Sequence, residues 1–136
     1  MLVADRVIRE QGTNKVYVLG TFDRILSPRF PTRHDTLNVY LALTEGTPGE
    51  HEGKLQIVYI DDKSDVMGER ELLSMKGALK FSADKLQVVE LVMELRGVIF
   101  PRPGTLEIRF SVGAELIEWR RFRVEQLPER EKSANG

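Results

Sequence analysis

The residues of this chain that could take part in catalysis are few. His34 is followed directly by Asp35, and Ser27 lies close in sequence, so the three residue types of a hydrolytic triad are present. A triad also needs its three groups to converge in space beside an oxyanion hole, and the sequence has no Gly-x-Ser-x-Gly motif to position a nucleophile. We therefore expect His34 to bind backbone groups of its own loop, and we predict that the protein is not an enzyme.

Two acidic groups offer alternatives. Asp61, Asp62 and Asp65 could supply oxygen ligands to Ca²⁺, but Val66 stands where an EF-hand loop beginning at Asp61 needs glycine. A turn rich in Asp and Ser forms without a metal, because these side chains bond to nearby backbone. A carboxylate pair, Glu90 and Glu94, would act in acid–base chemistry only in a cleft that raises a pKa. We predict a solvated face there, no metal site and no cofactor.

A cluster of arginines beside aromatic residues resembles a surface for single-stranded nucleic acid. Arg120, Arg121 and Arg123 flank Trp119 and Phe122. Alternation along a strand would instead bury Trp119 in the core and leave the arginines to solvent or to acidic partners. The chain has 20 Lys and Arg against 21 Asp and Glu, a net charge of -1, so we expect neither nucleic acid nor an anionic membrane as a partner.

The residues predicted to bind a partner or ligand lie in and after a segment that contains two prolines. Four of them combine positive charge, an aromatic ring and an imidazole, and loops on a rigid scaffold often carry function. The fifth is a tyrosine whose phase on a predicted strand is opposite to that of its apolar neighbours, which would expose its ring. These predicted binding residues are Arg29, Phe30, Arg33, His34 and Tyr40.

The elements that would position these residues are strands. Apolar residues alternate with polar ones over 106–112, and Gly113-Ala114 then suits a two-residue hairpin turn. The apolar phase shifts in the next strand, which predicts a β-bulge near Arg120. Residues 85–96 are predicted as strand, since Glu90 and Glu94 would repel at i,i+4 on a helix.

The remaining candidate strands share the period of two or a β-branched composition. Two of them, at 37–43 and 55–59, are predicted to form a hairpin with a long polar loop. The others cover residues 3–8, 16–19, 70–75 and 98–100. Together they predict an all-β chain, an antiparallel β-sandwich of eight or nine strands with Greek-key or jelly-roll-like connections. Residues 1–127 would form one domain and 128–136 a disordered polar tail.

Composition limits the function classes further. A chain of 136 residues forms one hydrophobic core. The absence of cysteine and the presence of only two histidines exclude disulfides, thiolate metal sites and a three-histidine zinc site. The N-terminus lacks the apolar run of a signal peptide, and charged residues interrupt the apolar-rich stretch at 86–95. We predict a cytoplasmic protein.

The order of several short motifs resembles a family of small bacterial all-β proteins known only as a domain of unknown function. The matching pieces are residues 4–8, residues 19–25 with Gly-Thr-Phe-Asp, Phe30-Pro31 with His34, and the Phe-Pro-Arg-Pro-Gly segment at 100–104. The resemblance spans nearly the whole chain. It implies a sandwich fold and no known substrate, and it transfers no catalytic residue.

The favoured functional hypothesis is a non-enzymatic binding or structural module that acts through protein–protein contacts. Edge strands of a sandwich pair readily with a strand of another chain, so the unidentified protein partner could be a second copy in a homodimer. The alternative is a carbohydrate- or small-ligand-binding sandwich. That alternative needs an exposed aromatic residue, and Tyr40 is the best candidate for it.

Overall fold

The computed structural model describes residues 1–60 and 69–128, and these fold into nine strands without a helix. Short turns that contain Gly, Pro, Asn or Asp separate most of the strands, as the alternating pattern requires. The strands are β1 (Leu2–Arg9), β2 (Val16–Thr21), β3 (Arg24–Ser27), β4 (Thr32–Leu43), β5 (Gly49–Ile60), β6 (Glu69–Phe81), β7 (Val89–Phe100), β8 (Gly104–Val112) and β9 (Glu115–Gln126).

The strands form two sheets, which we call the first and the second sheet. The first sheet has the order β2-β1-β4-β7 and the second the order β3-β9-β8-β5-β6. All pairings are antiparallel except that of β3 with β9, which is parallel. The predicted all-β, sandwich-like class is therefore confirmed. The connection between β4 and β5 passes from the first sheet to the second, so the predicted hairpin between these strands is wrong.

The core lies between the two sheets, and the period of two explains its membership. Leu37, Val39 and Leu41 alternate along β4 and are almost completely buried, and so are Leu106 and Ile108 on β8. Aromatic rings close the core at one end, where those of Phe100 and Phe122 meet edge to face with centroids 6.0 Å apart. β4 and β8 thus each have an inner apolar row and an outer row that carries other side chains.

Strand β7 includes most of residues 85–96, which were predicted as strand and not as helix. The strand prediction for 85–96 is confirmed from Val89 onward, and the predicted strand at 98–100 is the continuation of the same element. The inner row of β7 changes phase between Leu95 and Val98, both of which are buried. Gly97 lies between them with a φ of +62°, a conformation that glycine adopts without steric cost. The glycine thus lets one long strand bend and keep its apolar residues inside.

The β8–β9 hairpin turns at Gly113-Ala114 as predicted, and Gly113 has a φ of +60°. The predicted bulge near Arg120 is wrong, because the register shifts between Phe110 and Ser111, opposite Ile117. Past this bulge Trp119 is in phase with the arginines of the outer row and not with Phe122. The predicted burial of Trp119 is therefore also wrong, and its side chain is 52% exposed.

Several sequence predictions concern residues outside the described ranges. The acidic group at Asp61, Asp62 and Asp65 and the tail over 129–136 are among these residues. In the described part of the chain, no helix is long and apolar enough to cross a bilayer.

Candidate functional site

The predicted binding residues of the proline-containing segment do not share one surface. Phe30 packs against the hydrophobic core. Arg33 lies on β4 with its Nε 3.7 Å from Asp35 Oδ1, and both side chains are exposed. His34 is partly buried, with its ring 5.5 Å from that of Phe22. Arg29 is exposed beyond the end of β3. The segment therefore contributes both packing and solvated residues.

The three triad residue types are not assembled either. Ser27 Oγ donates a hydrogen bond to the Arg29 carbonyl oxygen at 2.9 Å. His34 Nε2 lies 3.9 Å from Asp5 Oδ1, so the carboxylate nearest to it belongs to β1. Asp35 pairs with Arg33. Serine, histidine and aspartate thus have separate partners, and the nucleophile–base hydrogen bond that a triad requires is not among the contacts of Ser27 or His34.

Tyr40, the fifth predicted binding residue, lies six residues beyond His34 on β4, about 20 Å away at roughly 3.3 Å per residue. Its hydroxyl donates a short hydrogen bond to Glu90 Oε2 on β7. Glu90 Oε1 in turn lies 3.4 Å from Arg9 Nη1. The hydrogen bond from Tyr40 and the nearby Arg9 hold the pKa of Glu90 below its ordinary value of 4.5. The same carboxylate raises the pKa of the Tyr40 hydroxyl.

The contact between Arg9 and Glu90 locates the β1–β2 hairpin. β1 pairs with β4 only at residues 2–4, and β7 lies on the far side of β4. For Arg9 to meet Glu90, the distal part of the hairpin must cross the outer side of β4. Asn38, on the outer row of β4, is accordingly buried, and its Nδ2 donates to the Asp5 carbonyl oxygen at 2.8 Å. Glu90, which accepts the Tyr40 hydrogen bond, therefore fastens the hairpin to the sheet through Arg9.

An exposed aromatic residue lies on the opposite side of the molecule, where the sequence did not predict one. We define the Trp119 face as Trp119, Arg121, Arg109 and Glu107 on the outer rows of β8 and β9. The Arg121 guanidinium lies 5.2 Å from the centroid of the Trp119 ring. Glu107 is almost completely buried between Arg109 Nε at 2.7 Å and Arg121 Nε at 3.1 Å. The sequence signal that could have predicted this exposed ring is the change of apolar phase in β9. The position of the bulge decides whether Trp119 faces the core or solvent.

An opening with a mainly apolar lining lies between β6 and β7 at one side of the sandwich. It has a volume of about 190 Å³. A second depression follows along the same two strands, between Leu72 and Leu73 of β6 and residues 94–99 of β7. We call this seam the edge groove. Its apolar lining includes Leu55, Met75, Leu79, Leu91, Met93 and Phe110.

Both strands that border the edge groove end their sheets. β6 has 13 residues and β7 has 12, and each pairs with another described strand on one side only. The Met75 side chain is 40% exposed, while Leu91 and Met93 are half-buried. Long edge strands present unpaired backbone N–H and C=O groups, and proteins usually shorten or cover them. The edge groove thus combines free backbone hydrogen-bonding groups with accessible apolar side chains.

The described residues offer little to a metal ion. Among them, no group of three or more His, Asp or Glu side chains is close enough to hold one. Glu94, the second carboxylate of the predicted pair, forms a short contact with Arg96 on the same strand. Glu90 and Glu94 both lie on the outer row of β7, as predicted, and each already has a basic partner.

Comparison with known proteins identifies a family and supplies no activity. Residues 1–125 match the model of DUF6941, a family of unknown function. No curated protein matches the chain. Among solved structures, the chain aligns with a selenomethionine-labelled β-glucosidase from Kluyveromyces marxianus at 11% identity and a TM-score of 0.45. The match covers 81% of this chain and 15% of the β-glucosidase.

Proposed function

The chain belongs to the DUF6941 family, and we propose that it is a non-enzymatic binding module that acts by contact with another protein along β6 and β7. The observation that carries the proposal is the edge groove, where two long edge strands flank a line of accessible apolar side chains. A strand added to either edge would gain main-chain hydrogen bonds and also bury Met75 and Met93. Methionine side chains adapt to different partners because they are unbranched and polarisable.

The electrostatics of the described residues favour binding over catalysis. A general acid needs a carboxyl group whose pKa is raised, and the pKa of Glu90 is lowered by its hydrogen bond from Tyr40. Two of the three arginines of β9 that resembled a nucleic-acid surface have acidic or backbone partners. Arg121 pairs with Glu107, and Arg120 Nη1 donates to the Met1 carbonyl oxygen at 3.1 Å.

The predicted cytoplasmic location stays a prediction.

The experiment that tests the proposal is capture of partners from the native host lysate with three tagged chains. These are the wild type, Met75→Glu and Leu116→Glu. Met75 lines the edge groove and is 40% exposed, and Leu116 is 49% exposed beside the β8–β9 turn. We expect a stoichiometric protein, or a second copy of the chain, on the wild type and on Leu116→Glu. Its loss with Met75→Glu follows from placing a charge among apolar groups.

Two results would contradict this proposal. One is retention of the same partner by Met75→Glu, which would place the contact elsewhere. The other is recovery of the wild-type chain alone, together with a monomeric mass in light scattering at high concentration. Circular dichroism of both variants verifies that each substitution at an exposed position leaves the fold intact.

A carbohydrate or small ligand is the second candidate, and the exposed ring of Trp119 favours it. A tryptophan on an outer row, beside Arg109, Arg121 and Gln56, can stack on a sugar ring while its neighbours bind hydroxyl groups. Tyr40 is less suited to this role, since its hydroxyl is already bonded to Glu90. On a glycan array we expect Trp119→Ala to weaken any binding by about tenfold and Tyr40→Ala to keep it. A wild-type chain that binds no glycan rules out the carbohydrate.

A further inference from the structure

We propose that the partner at the edge groove is a second copy of this chain, joined by antiparallel pairing of β7 with β7 and centred on Met93. The inference rests on the proposed function and specifies its partner, edge and register. The edges at the other side of the sandwich are less suitable, since β3 has four residues and β2 has six. β6 is long, but its pairing with β5 leaves Leu72 without a partner residue, and Gly77 interrupts its side-chain rows.

Symmetry restricts how β7 can pair with itself. In an antiparallel pair of identical strands that keeps inner and outer rows apart, the two-fold axis places one residue opposite its own copy. The charges of the residues that would face each other then distinguish the possible positions of the two-fold axis. An axis at Val92 would place Glu90 opposite Glu94, and an axis at Glu94 would place two glutamates opposite each other. Like charges directly opposite destabilise a strand pair.

The axis at Met93 avoids these conflicts. It places Glu90 opposite Arg96 of the second copy, twice by symmetry, and Leu91 opposite Leu95. Arg96 is available for such a contact, because its side chain is 80% exposed and its present partner, Glu94, lies on its own strand. An axis at Leu95 would place the backbone of Gly97, with its φ of +62°, inside the paired segment. Pairing centred on Met93 instead runs from Val89 to the glycine.

The geometry of the edge groove points to the same strand. Leu91 and Met93 are only half-buried on the inner row of β7 because no described strand lies beyond them. A second β7 would continue the first sheet, and its own inner row would lie over the groove between β7 and β6. The apolar opening of about 190 Å³ would thus lose its access to water on the side where it is open.

Single cysteines test the register, since the chain contains none. We compare Met93→Cys with Val92→Cys and Glu94→Cys under mild oxidation and measure the disulfide-linked dimer. In the proposed register only residue 93 faces its own copy, at a Cα separation that a disulfide can span. Residues 92 and 94 face each other's copies, so each is about 7–8 Å from its own, too far for a disulfide. We expect cross-linking at least about tenfold faster for Met93→Cys.

A second variant tests the charge pairing without touching the inner row. Arg96→Glu places a negative charge opposite Glu90 of the second copy, and we expect the dimer dissociation constant to rise about fivefold. Lys80→Glu is the matched control, since this exposed residue lies on β6, outside the paired segment. An unchanged dissociation constant for Arg96→Glu contradicts the pairing.

The failures of this inference and of the proposed function are distinguishable. Equal cross-linking of all three cysteine variants, or a monomeric wild type in light scattering, overturns the β7 dimer. If the wild type is monomeric but captures a different protein that Met75→Glu loses, the binding module stands and the second copy does not. If neither a second copy nor another protein is held at the groove, both fail.

Discussion

Glu90 joins two other strands of the first sheet to β7. It accepts a hydrogen bond from Tyr40 on β4 and lies 3.4 Å from Arg9 on β1. The outward phase of Tyr40 and of Glu90 could be predicted from alternation along each strand. Their contact could not, because it depends on the register between β4 and β7, which places Ala42 opposite Glu90 and Tyr40 opposite Val92. A residue pattern indicates faces, whereas neighbours across strands are set by pairing.

Replacing Tyr40 by Phe tests this network. We expect the free energy of unfolding to fall by about 1 kcal/mol at pH 7, since the hydrogen bond to a partly exposed carboxylate is lost. The pKa of Glu90 is lower in the folded state than its ordinary value of 4.5. Glu90 therefore stabilises the fold fully above pH 4.5, and this stabilisation is lost as the pH falls through the lower folded pKa. The difference between wild type and Tyr40→Phe should therefore narrow below pH 4.5.

The raised pKa of Tyr40 gives the opposite dependence at high pH. Tyr40 stabilises the fold fully below its ordinary pKa of 10.0, and this stabilisation is lost as the pH rises through the higher pKa of the folded state. Tyr17→Phe is the control for the high-pH limb only, because it removes the hydroxyl of another tyrosine, which is exposed and donates to the exposed Glu10 at 3.0 Å. Urea unfolding between pH 3 and pH 11 measures both variants. A constant difference for Tyr40→Phe across this range would contradict the assigned hydrogen bond.

At the scale of elements, strands could be predicted where apolar residues alternate strictly, as along β4 and β8. Trp119 shows why alternation alone was not enough. One unpaired residue at Ile117 shifts every later side chain by one row, and placing that bulge near Arg120 assigned the indole to the wrong face. Alternation also does not predict which strands pair. β4 and β5 are consecutive in the chain but belong to different sheets.

Gly46 lies in the connection between β4 and β5, which joins the two sheets, and a substitution there tests how closely this connection packs. A Cβ added there would lie 2.3 Å from the Phe81 ring, which is itself buried. We expect Gly46→Ala to lower the free energy of unfolding by about 1–3 kcal/mol, because the ring must move within a packed core. Gly77→Ala is the control, since a Cβ at that position has no neighbour within 4 Å. Thermal unfolding compares the two, and equal midpoints would contradict the close packing of Gly46 against Phe81.

At the scale of the whole molecule, the two sides of the sandwich differ. One side ends in the short strands β2 and β3, and the other in β6 and β7 with the edge groove between them. The sequence predicted that an edge strand could bind another chain, but it did not indicate which one. That choice depends on the sheet order, which brings Met75 and Met93 from distant parts of the sequence to one groove. None of the five residues predicted to bind lines this groove.

The most direct measurement of the proposed contact is amide hydrogen exchange of the wild-type chain, first dilute and alone, then concentrated or with the captured partner. We expect exchange to slow in residues 89–100 and to stay unchanged in β2, because a strand added to β7 at the edge groove satisfies the free N–H groups of that strand. Slowing confined to the residues around Trp119, or no change anywhere, would contradict the assignment of the edge groove as the binding surface.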